Sequence, residues 1–213
     1  RSIINQYCGL NSKWGLLDYK DMPGPIDYVY SKENRPKDDE DRMKIKEKYG
    51  DPSMPSAVSS LSYLVMNTRS DILFIVNKLA TLASDPGLKY YKIVIHCFGY
   101  LWKYPNSGIK CHRNIAASPV YKIYKEARVD ATEILAFTYS SWQDCPDTRK
   151  STSRYKIFIQ GGLIDSQSTL NIQIALLSVE AEYMGTCNCA SMICHMCQLW
   201  YDLNYLGTSE YDI

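Results

Sequence analysis

The apolar residues between positions 56 and 104 repeat at helical spacing in three successive segments, and this pattern constrains the fold more than any other. The three sets are Ala57, Leu61, Leu64 and Val65; Ile72, Ile75, Val76, Leu79 and Leu82; and Ile93, Phe98, Leu101 and Trp102. Ser70 and Asp71 offer an N-cap for the second segment. Turn residues that include proline and glycine lie at 85–87 and 105–108. We therefore predict three helices over residues 56–104.

After position 108 the pattern changes to short apolar runs separated by turns. Ile109–Cys111 is a short strand candidate, and residues 119–124 suit either a helix or a strand. Three further runs lie at 133–142, 155–160 and 170–176. They are rich in apolar and aromatic residues, and the connections between them are short. This spacing predicts an antiparallel meander of three strands.

A long helical segment follows the strands. It starts at Ser178, the predicted N-cap, and extends to about Asn204. Glu180 and Glu182 lie in its first turns, where the helix dipole favours acidic residues. Three strands and one helix leave a sheet edge without a later strand to pair with. We therefore expect an α+β chain that is truncated, and Arg1 as first residue also indicates a fragment or a processed product.

The first 55 residues give the weakest structural signal. Residues 1–31 have little periodicity and suggest loops with one short strand. The run from Lys32 to Lys48 has seven basic and six acidic residues, which favours a solvated linker with a helical second half. The net charge of the chain is +1, so its overall field does not favour nucleic acid. No apolar run approaches the ~18 residues of a membrane span, and no secretory signal begins the chain.

Four of the eight cysteines lie between positions 187 and 197, which is not the spread of a secreted disulfide scaffold and favours an intracellular location. With His195 they resemble a zinc site in composition. On one helix, however, Cys187 and Cys194 are ~10.5 Å apart along the axis, whereas Zn–S bonds are ~2.3 Å long. We prefer a stripe buried against the sheet, with His195 packed on the helix. The stripe would contain Cys187, Ala190, Cys194, Cys197 and Tyr201.

Three blocks of this sequence resemble one region of Ty1/copia-type retrotransposon Pol polyproteins. They are SAVSSLSYLVMNTRSDILFIVNKLA at 56–80, SSWQDCPDTRKSTS at 140–153 and SVEAEYM at 178–184. In that family the first block follows the reverse transcriptase palm, and the other two belong to ribonuclease H. The resemblance covers about residues 50–207 and is weaker over 1–50. It implies a reverse-transcriptase-derived irregular segment at 1–55, a helical connection at 56–108 and an incomplete ribonuclease H-like domain at 109–213.

The resemblance also implies where a nuclease site would lie. Ribonuclease H holds two Mg²⁺ ions with several carboxylates. The first family carboxylate position is occupied by Tyr139, the second by Glu182, and the others would lie beyond Ile213. Asp144 and Asp147 are close in sequence, but Asp147 suits a turn residue that bonds its own backbone. One carboxylate cannot hold two divalent ions, so we expect no metal, no cofactor and no nuclease activity.

Basic residues next to tyrosines form the remaining candidate site, for nucleic acid. The basic residues are Lys89, Lys92, Lys103, Lys110 and Arg113, and the tyrosines are Tyr90, Tyr91, Tyr104, Tyr121 and Tyr124. Such pairs suit phosphate contact with base stacking, although a solvated surface has the same composition. The expected function is an inactive Pol fragment that retains a nucleic-acid-binding or structural role.

The expected partner is an RNA–DNA hybrid or a protein that covers the open sheet edge, with neither a membrane nor a small-molecule substrate. Two alternatives stay open at this point. One is a domesticated structural subunit of a larger complex. The other is a ribonuclease H activity that a second chain completes.

Overall fold

A computed structural model describes residues 2–8, 14–15, 17–25, 30–50, 53–128, 130 and 133–203. The chain divides into two compact units. The helical unit contains Arg1–Ile109 with the short segment Cys145–Thr148, and the sheet unit contains Lys110–Asp144 and Arg149–Ile213. In the described ranges, no helix combines the length and the hydropathy that a membrane span requires.

The helical unit has five α-helices among its described residues. They are α1 (Ser2–Tyr7), α2 (Asp39–Tyr49), α3 (Met54–Asn67), α4 (Leu73–Ala80) and α5 (Leu88–Lys103). Short 3-10 turns lie at Lys32–Asn34 and Ser70–Ile72. The three helices predicted over 56–104 are confirmed as α3, α4 and α5. The helical second half predicted for the charged run is α2.

Aromatic residues from both ends of this unit form its centre. The rings of Tyr7 and Phe98 stack with centroids 5.2 Å apart, and those of Tyr49 and Tyr91 stack at 4.6 Å. Trp14 lies 5.2 Å from the rings of both Tyr7 and Tyr91. The first 55 residues therefore supply part of the core. The expectation of an irregular segment there is wrong for α1, whereas α2 is the expected helical second half of the charged run, and the described part of 1–31 contains no strand.

The predicted N-cap before α4 is wrong. The residue at that position is Ile72, and neither Ser70 nor Asp71 bonds the first turn through its side chain. The Asp71 carboxylate instead accepts hydrogen bonds from Nε and Nη2 of Arg69 at 2.9 and 2.8 Å, and from the Tyr100 hydroxyl at 2.8 Å. Arg69 is buried, so its guanidinium requires a charged partner. The Asp71 carboxylate fills that role and therefore does not cap α4.

The described residues of the sheet unit form two α-helices, three strands and a 3-10 turn at Ile115–Ala117. The helices and strands are α6 (Tyr121–Ala127), β1 (Ile134–Ser141), β2 (Thr152–Ile159), β3 (Gly162–Leu170) and α7 (Ser178–Asp202). The strands pair antiparallel in the order β1-β2-β3, so the predicted meander is confirmed. The ambiguous segment at 119–124 is mostly helical, within α6. Ile109–Cys111 is not a strand.

The predicted position of the third strand is wrong. Gln160 and Gly161 both have positive φ, 49° and 72°, which is the backbone of a two-residue hairpin turn, and β3 therefore begins at Gly162. The sequence of β3, GLIDSQSTL, is polar, so an apolar pattern does not predict this strand. The apolar residues predicted as a strand lie in an irregular segment, where Ile172 and Leu176 are 90% and 78% exposed.

Helix α7 covers one face of the sheet. Its N-cap residue is Leu177 rather than Ser178, and no side chain caps it there. Glu180 stabilises the entry instead, because its Oε2 accepts a hydrogen bond from the Leu176 amide at 2.7 Å. The buried apolar cluster beneath α7 is small and consists of Tyr155, Ile157 and Cys189 with partly buried neighbours.

Candidate functional site

The sheet has two different faces, which we call the inner and the outer face. On the inner face, Thr138 lies 3.5 Å from Thr186 of α7, oxygen to oxygen, and Ser140 lies directly beneath Gly185. Side chains alternate along a strand. The outer face therefore carries the other residues of β1 and β2. They are Leu135, Phe137, Tyr139 and Ser141 with Thr152, Arg154, Lys156 and Phe158.

Glu182 and Tyr139, the two positions that the family resemblance assigns to the nuclease site, make separate contacts. Oε1 of Glu182 accepts a hydrogen bond from the Ser140 amide at 3.3 Å, so this carboxylate reaches β1 from the helix side. The Tyr139 side chain lies on the outer face and is 56% exposed. Its ring lies beneath the guanidinium of Arg154, with 5.5 Å from Cζ to the ring centroid. A cation beside this position disfavours a second cation there.

The residues present do not fit the two Mg²⁺ ions that the family resemblance implies. Mg²⁺ prefers several convergent oxygen ligands, mostly carboxylates and water. Glu182 supplies one carboxylate, which already bonds a backbone amide. Among the residues that the structure describes, no three His, Cys, Asp or Glu side chains come together as a metal-binding group.

The two nearby aspartates have other contacts. Both Asp144 oxygens accept the Thr152 hydroxyl, at 2.8 and 2.9 Å. Asp147 accepts hydrogen bonds from Oγ of Ser31 at 3.0 Å and from the Lys32 amide at 3.0 and 3.2 Å, within the helical unit. The prediction that Asp147 bonds its own turn is therefore wrong, because its carboxylate bonds Ser31 and the Lys32 amide at the start of the 3-10 turn.

The predicted nucleic-acid residues are divided between the two units. Lys89, Lys92 and Lys103 are exposed on α5 of the helical unit, whereas Lys110 and Arg113 are exposed in the sheet unit. Lys103 forms an ion pair with Asp21, which also accepts the Tyr104 hydroxyl.

The tyrosines interleaved with these basic residues are mostly not available for stacking. Tyr90, Tyr91 and Tyr124 are buried, with at most 4% of their surface exposed. Helical spacing turns them inward, whereas the adjacent lysines face solvent. The expected pairing of surface lysines with surface tyrosines is therefore wrong for these three.

The prediction that the cysteine stripe is buried against the sheet is wrong. All five of its members are exposed, and so is His195. The side of α7 that faces the sheet is offset by two residues and consists of Ala181, Gly185, Cys189, Met192 and Met196. The close approach at Gly185, which brings the helix onto Ser140, sets this rotation. Burial raises the pKa of Cys189, the member of this group that packs on Tyr155 and Ile157.

The outer face presents a group that the sequence pattern did not single out. Phe137 is 37% exposed and lies directly opposite Lys156, while Tyr139 lies directly opposite Arg154. Burial lowers the pKa of Arg154, and the negative charge of Asp144 opposes that shift. The signal in the sequence was the alternation of aromatic residues in AFTYSS and of basic residues in SRYKIF, which only the strand register brings together.

Comparison with curated proteins gives three relatives. The chain is 31% identical over 130 residues to the retrovirus-related Pol polyprotein from transposon TNT 1-94 of Nicotiana tabacum, covering 61% of the chain and 9% of that protein. It is 27% identical over 137 residues to an uncharacterized mitochondrial protein of Arabidopsis thaliana, covering 64% and 50%. It is 26% identical over 130 residues to the secreted RxLR effector protein 161 of Plasmopara viticola, covering 61% and 81%. No protein-family model and no solved structure matches the chain.

Proposed function

From the sequence relationship of this chain to retrotransposon Pol protein, we propose that it derives from the reverse transcriptase and ribonuclease H region of a Ty1/copia-type element. In this proposal it does not cleave nucleic acid but binds it inside the cell. The observation that carries the proposal is the state of the carboxylate site. Tyr139 stands at the first family position and stacks with Arg154, so Glu182 lacks its partner.

The proposed loss of cleavage follows from electrostatics. Two-metal hydrolysis requires carboxylates that hold both ions and stabilise the attacking and leaving oxygens. A phenol is a poor substitute for a carboxylate, the hard oxygen ligand that Mg²⁺ prefers. A guanidinium next to that phenol adds positive charge where a metal ion would bind. A single carboxylate that bonds the backbone cannot compensate for both changes.

The test is incubation of the purified chain with a labelled RNA–DNA hybrid and Mg²⁺ or Mn²⁺, with binding and cleavage followed together. We expect binding without cleavage. Divalent-dependent cleavage that Glu182→Gln abolishes would overturn the proposal. Glu180→Gln is the matched control, because Glu180 lies half a turn away and bonds the Leu176 amide.

A protein partner at the sheet edge is the second candidate. Within the described residues, β1 and β3 each pair with β2 alone, so each presents backbone groups that another strand can bind. Co-purification of a defined partner that protects β1 or β3 amides from hydrogen exchange would support this function. Unchanged exchange at both edges on mixing with that partner would exclude it.

A further inference from the structure

We propose that the outer face of the sheet binds single-stranded nucleic acid, with bases stacked on Phe137 and Tyr139 and phosphates next to Lys156 and Arg154. This site rests on the nucleic-acid-binding function proposed above and gives it a location and a ligand class. It differs from the basic residues on α5 that the sequence pattern indicated. The evidence is the strand register, the exposure of the rings and the charge of the face.

The register places an aromatic residue opposite a basic residue twice in succession. Phe137 pairs with Lys156, and Tyr139 pairs with Arg154. Residues two apart on one strand are separated by about 6.6–6.8 Å on the same face. The outer face thus repeats a ring and a cation at regular spacing. Aromatic side chains on a sheet are a known platform for stacking two or three bases.

Both rings are exposed yet held in place. Phe137 is 37% exposed and meets Phe158 edge to face, with centroids 5.8 Å apart and planes at 83°. Tyr139 is 56% exposed and is held by Arg154. Rings that are already ordered lose less conformational entropy when a ligand binds. Each ring therefore keeps surface available for a base.

The charge of the face suits a phosphate backbone. Its positions on β1 and β2 carry two basic residues and no acidic one. The adjacent positions on β3 are Ser166 and Ser168, which are neutral. Asp144 in the neighbouring turn partly offsets the charge of Arg154. We therefore expect weak binding that neutralises one or two phosphates and is sensitive to salt.

The same features distinguish this face from α7. Helix α7 also exposes two tyrosines, Tyr183 and Tyr201, at 73% and 77%. The helix contains no lysine or arginine, so a base stacked there would gain no phosphate contact. Base-paired duplexes are disfavoured on the sheet face because their bases already stack on one another. The expected ligand is therefore single-stranded RNA or DNA.

The experiment is fluorescence anisotropy of the full chain with labelled oligouridine, oligothymidine and a duplex of equal length. We expect both single strands to bind and the duplex to bind more weakly. Tyr139→Ala or Phe137→Ala should weaken binding by about 5- to 140-fold, the usual range for losing one stacked base. Tyr139→Phe should retain binding, because the ring is kept. Circular dichroism checks that each variant is folded.

Two further variants test the cation and the location. Lys156→Gln should weaken binding and reduce the salt slope by about 0.7, the value for one phosphate on a single strand. Tyr183→Ala and Lys46→Gln are the matched controls, since both residues are exposed and lie outside the face.

Three outcomes would overturn this site. Binding that survives both alanine variants but is lost in Lys89→Gln with Lys92→Gln would place the site on α5 and leave the proposed function intact. A preference for the duplex would contradict base stacking on this face and would also leave the proposed function intact. The absence of binding to every probe, the RNA–DNA hybrid included, would overturn the proposed function as well.

Discussion

The helical unit and the sheet unit differ in how much apolar side-chain surface they bury. In the helical unit, residues from α1 to α5 enclose a continuous core that includes Tyr7, Leu61 and Phe98, each completely buried. In the sheet unit, the buried apolar cluster comprises Tyr155, Ile157 and Cys189. Near Gly185 the space between α7 and the sheet is filled by Ser140 and Ser153, whose hydroxyls are 3.0 Å apart.

This difference explains where binding surfaces occur. Most apolar residues of the helical unit are buried in its core, and so are Tyr90 and Tyr91, which the sequence suggested for base stacking. In the sheet unit, α7 covers the inner face of the sheet, whereas Phe137 and Tyr139 of the outer face and Cys187, Cys194 and Cys197 of α7 are exposed. Contiguous apolar or aromatic surface that a fold leaves exposed is where interaction sites are found.

The largest predicted difference between the units is in thiol reactivity. Burial raises the pKa of Cys97 to about 12 and that of Cys8 to about 11. The thiolate is the reactive species, so at neutral pH Cys97 should react roughly a thousandfold more slowly than an ordinary thiol with pKa near 8.5. Cys111, Cys187, Cys194 and Cys197 are exposed and should be labelled first. Timed alkylation with peptide mass spectrometry measures these rates.

Denaturant provides the control for this labelling experiment, because unfolding should equalise the rates. Labelling of Cys97 in native protein as fast as of Cys194 would contradict the sealed core of the helical unit.

The next largest effect is expected in that core. Leu61→Ala removes a completely buried side chain of α3 and should lower the free energy of unfolding by about 2–5 kcal/mol. Met66→Ala on the same helix is the control, because Met66 is 86% exposed and its loss should cost less than about 0.5 kcal/mol. Urea unfolding followed by circular dichroism measures both. Equal effects of the two substitutions would refute the packing of α3.

The smallest effect tests the close approach of α7 to the sheet. A Cβ at Gly185 would lie 2.4 Å from Oγ of Ser140. Gly185→Ala gains about 1 kcal/mol of helix propensity, but the clash costs about 1–3 kcal/mol. We therefore expect a net loss of about 1 kcal/mol in the free energy of unfolding, read from urea unfolding.

The double variant with Ser140→Ala should recover part of that loss. Asn188→Ala, at an exposed position of α7, should be neutral or slightly stabilising. If Gly185→Ala stabilises the protein as much as Asn188→Ala does, then α7 is not closely packed on β1.

Much of the fold could be predicted from the sequence because its helices have strong apolar periodicity. This periodicity predicted helices α3, α4, α5 and α7, and the short turns between apolar runs predicted the meander. Strand β3 could not be found in this way, because GLIDSQSTL is polar and its start depends on the positive φ of Gln160 and Gly161. The predicted caps were wrong at both helices: Asp71 bonds Arg69 instead of capping α4, and the N-cap position of α7 lies one residue earlier than predicted, at Leu177 rather than Ser178.

The candidate site was less predictable. The family resemblance pointed to Tyr139 and Glu182, but not to their contacts: Tyr139 lies beneath Arg154 on the outer face, and Glu182 reaches the Ser140 amide from α7. The rotation of α7 about its axis depends on one small residue, Gly185. The sheet-facing side was predicted two residues away from its actual position, so the cysteine stripe expected to be buried is exposed. The pairing of Phe137 with Lys156 requires the register between β1 and β2.

The most direct test of the central claim is photocrosslinking of the full chain to an oligonucleotide that contains 4-thiouridine, with the crosslinked residues identified by mass spectrometry. The account predicts crosslinks at Phe137 and Tyr139 and an intact oligonucleotide in the presence of Mg²⁺. Crosslinks confined to α5 or α7, or a cleaved oligonucleotide, would contradict it.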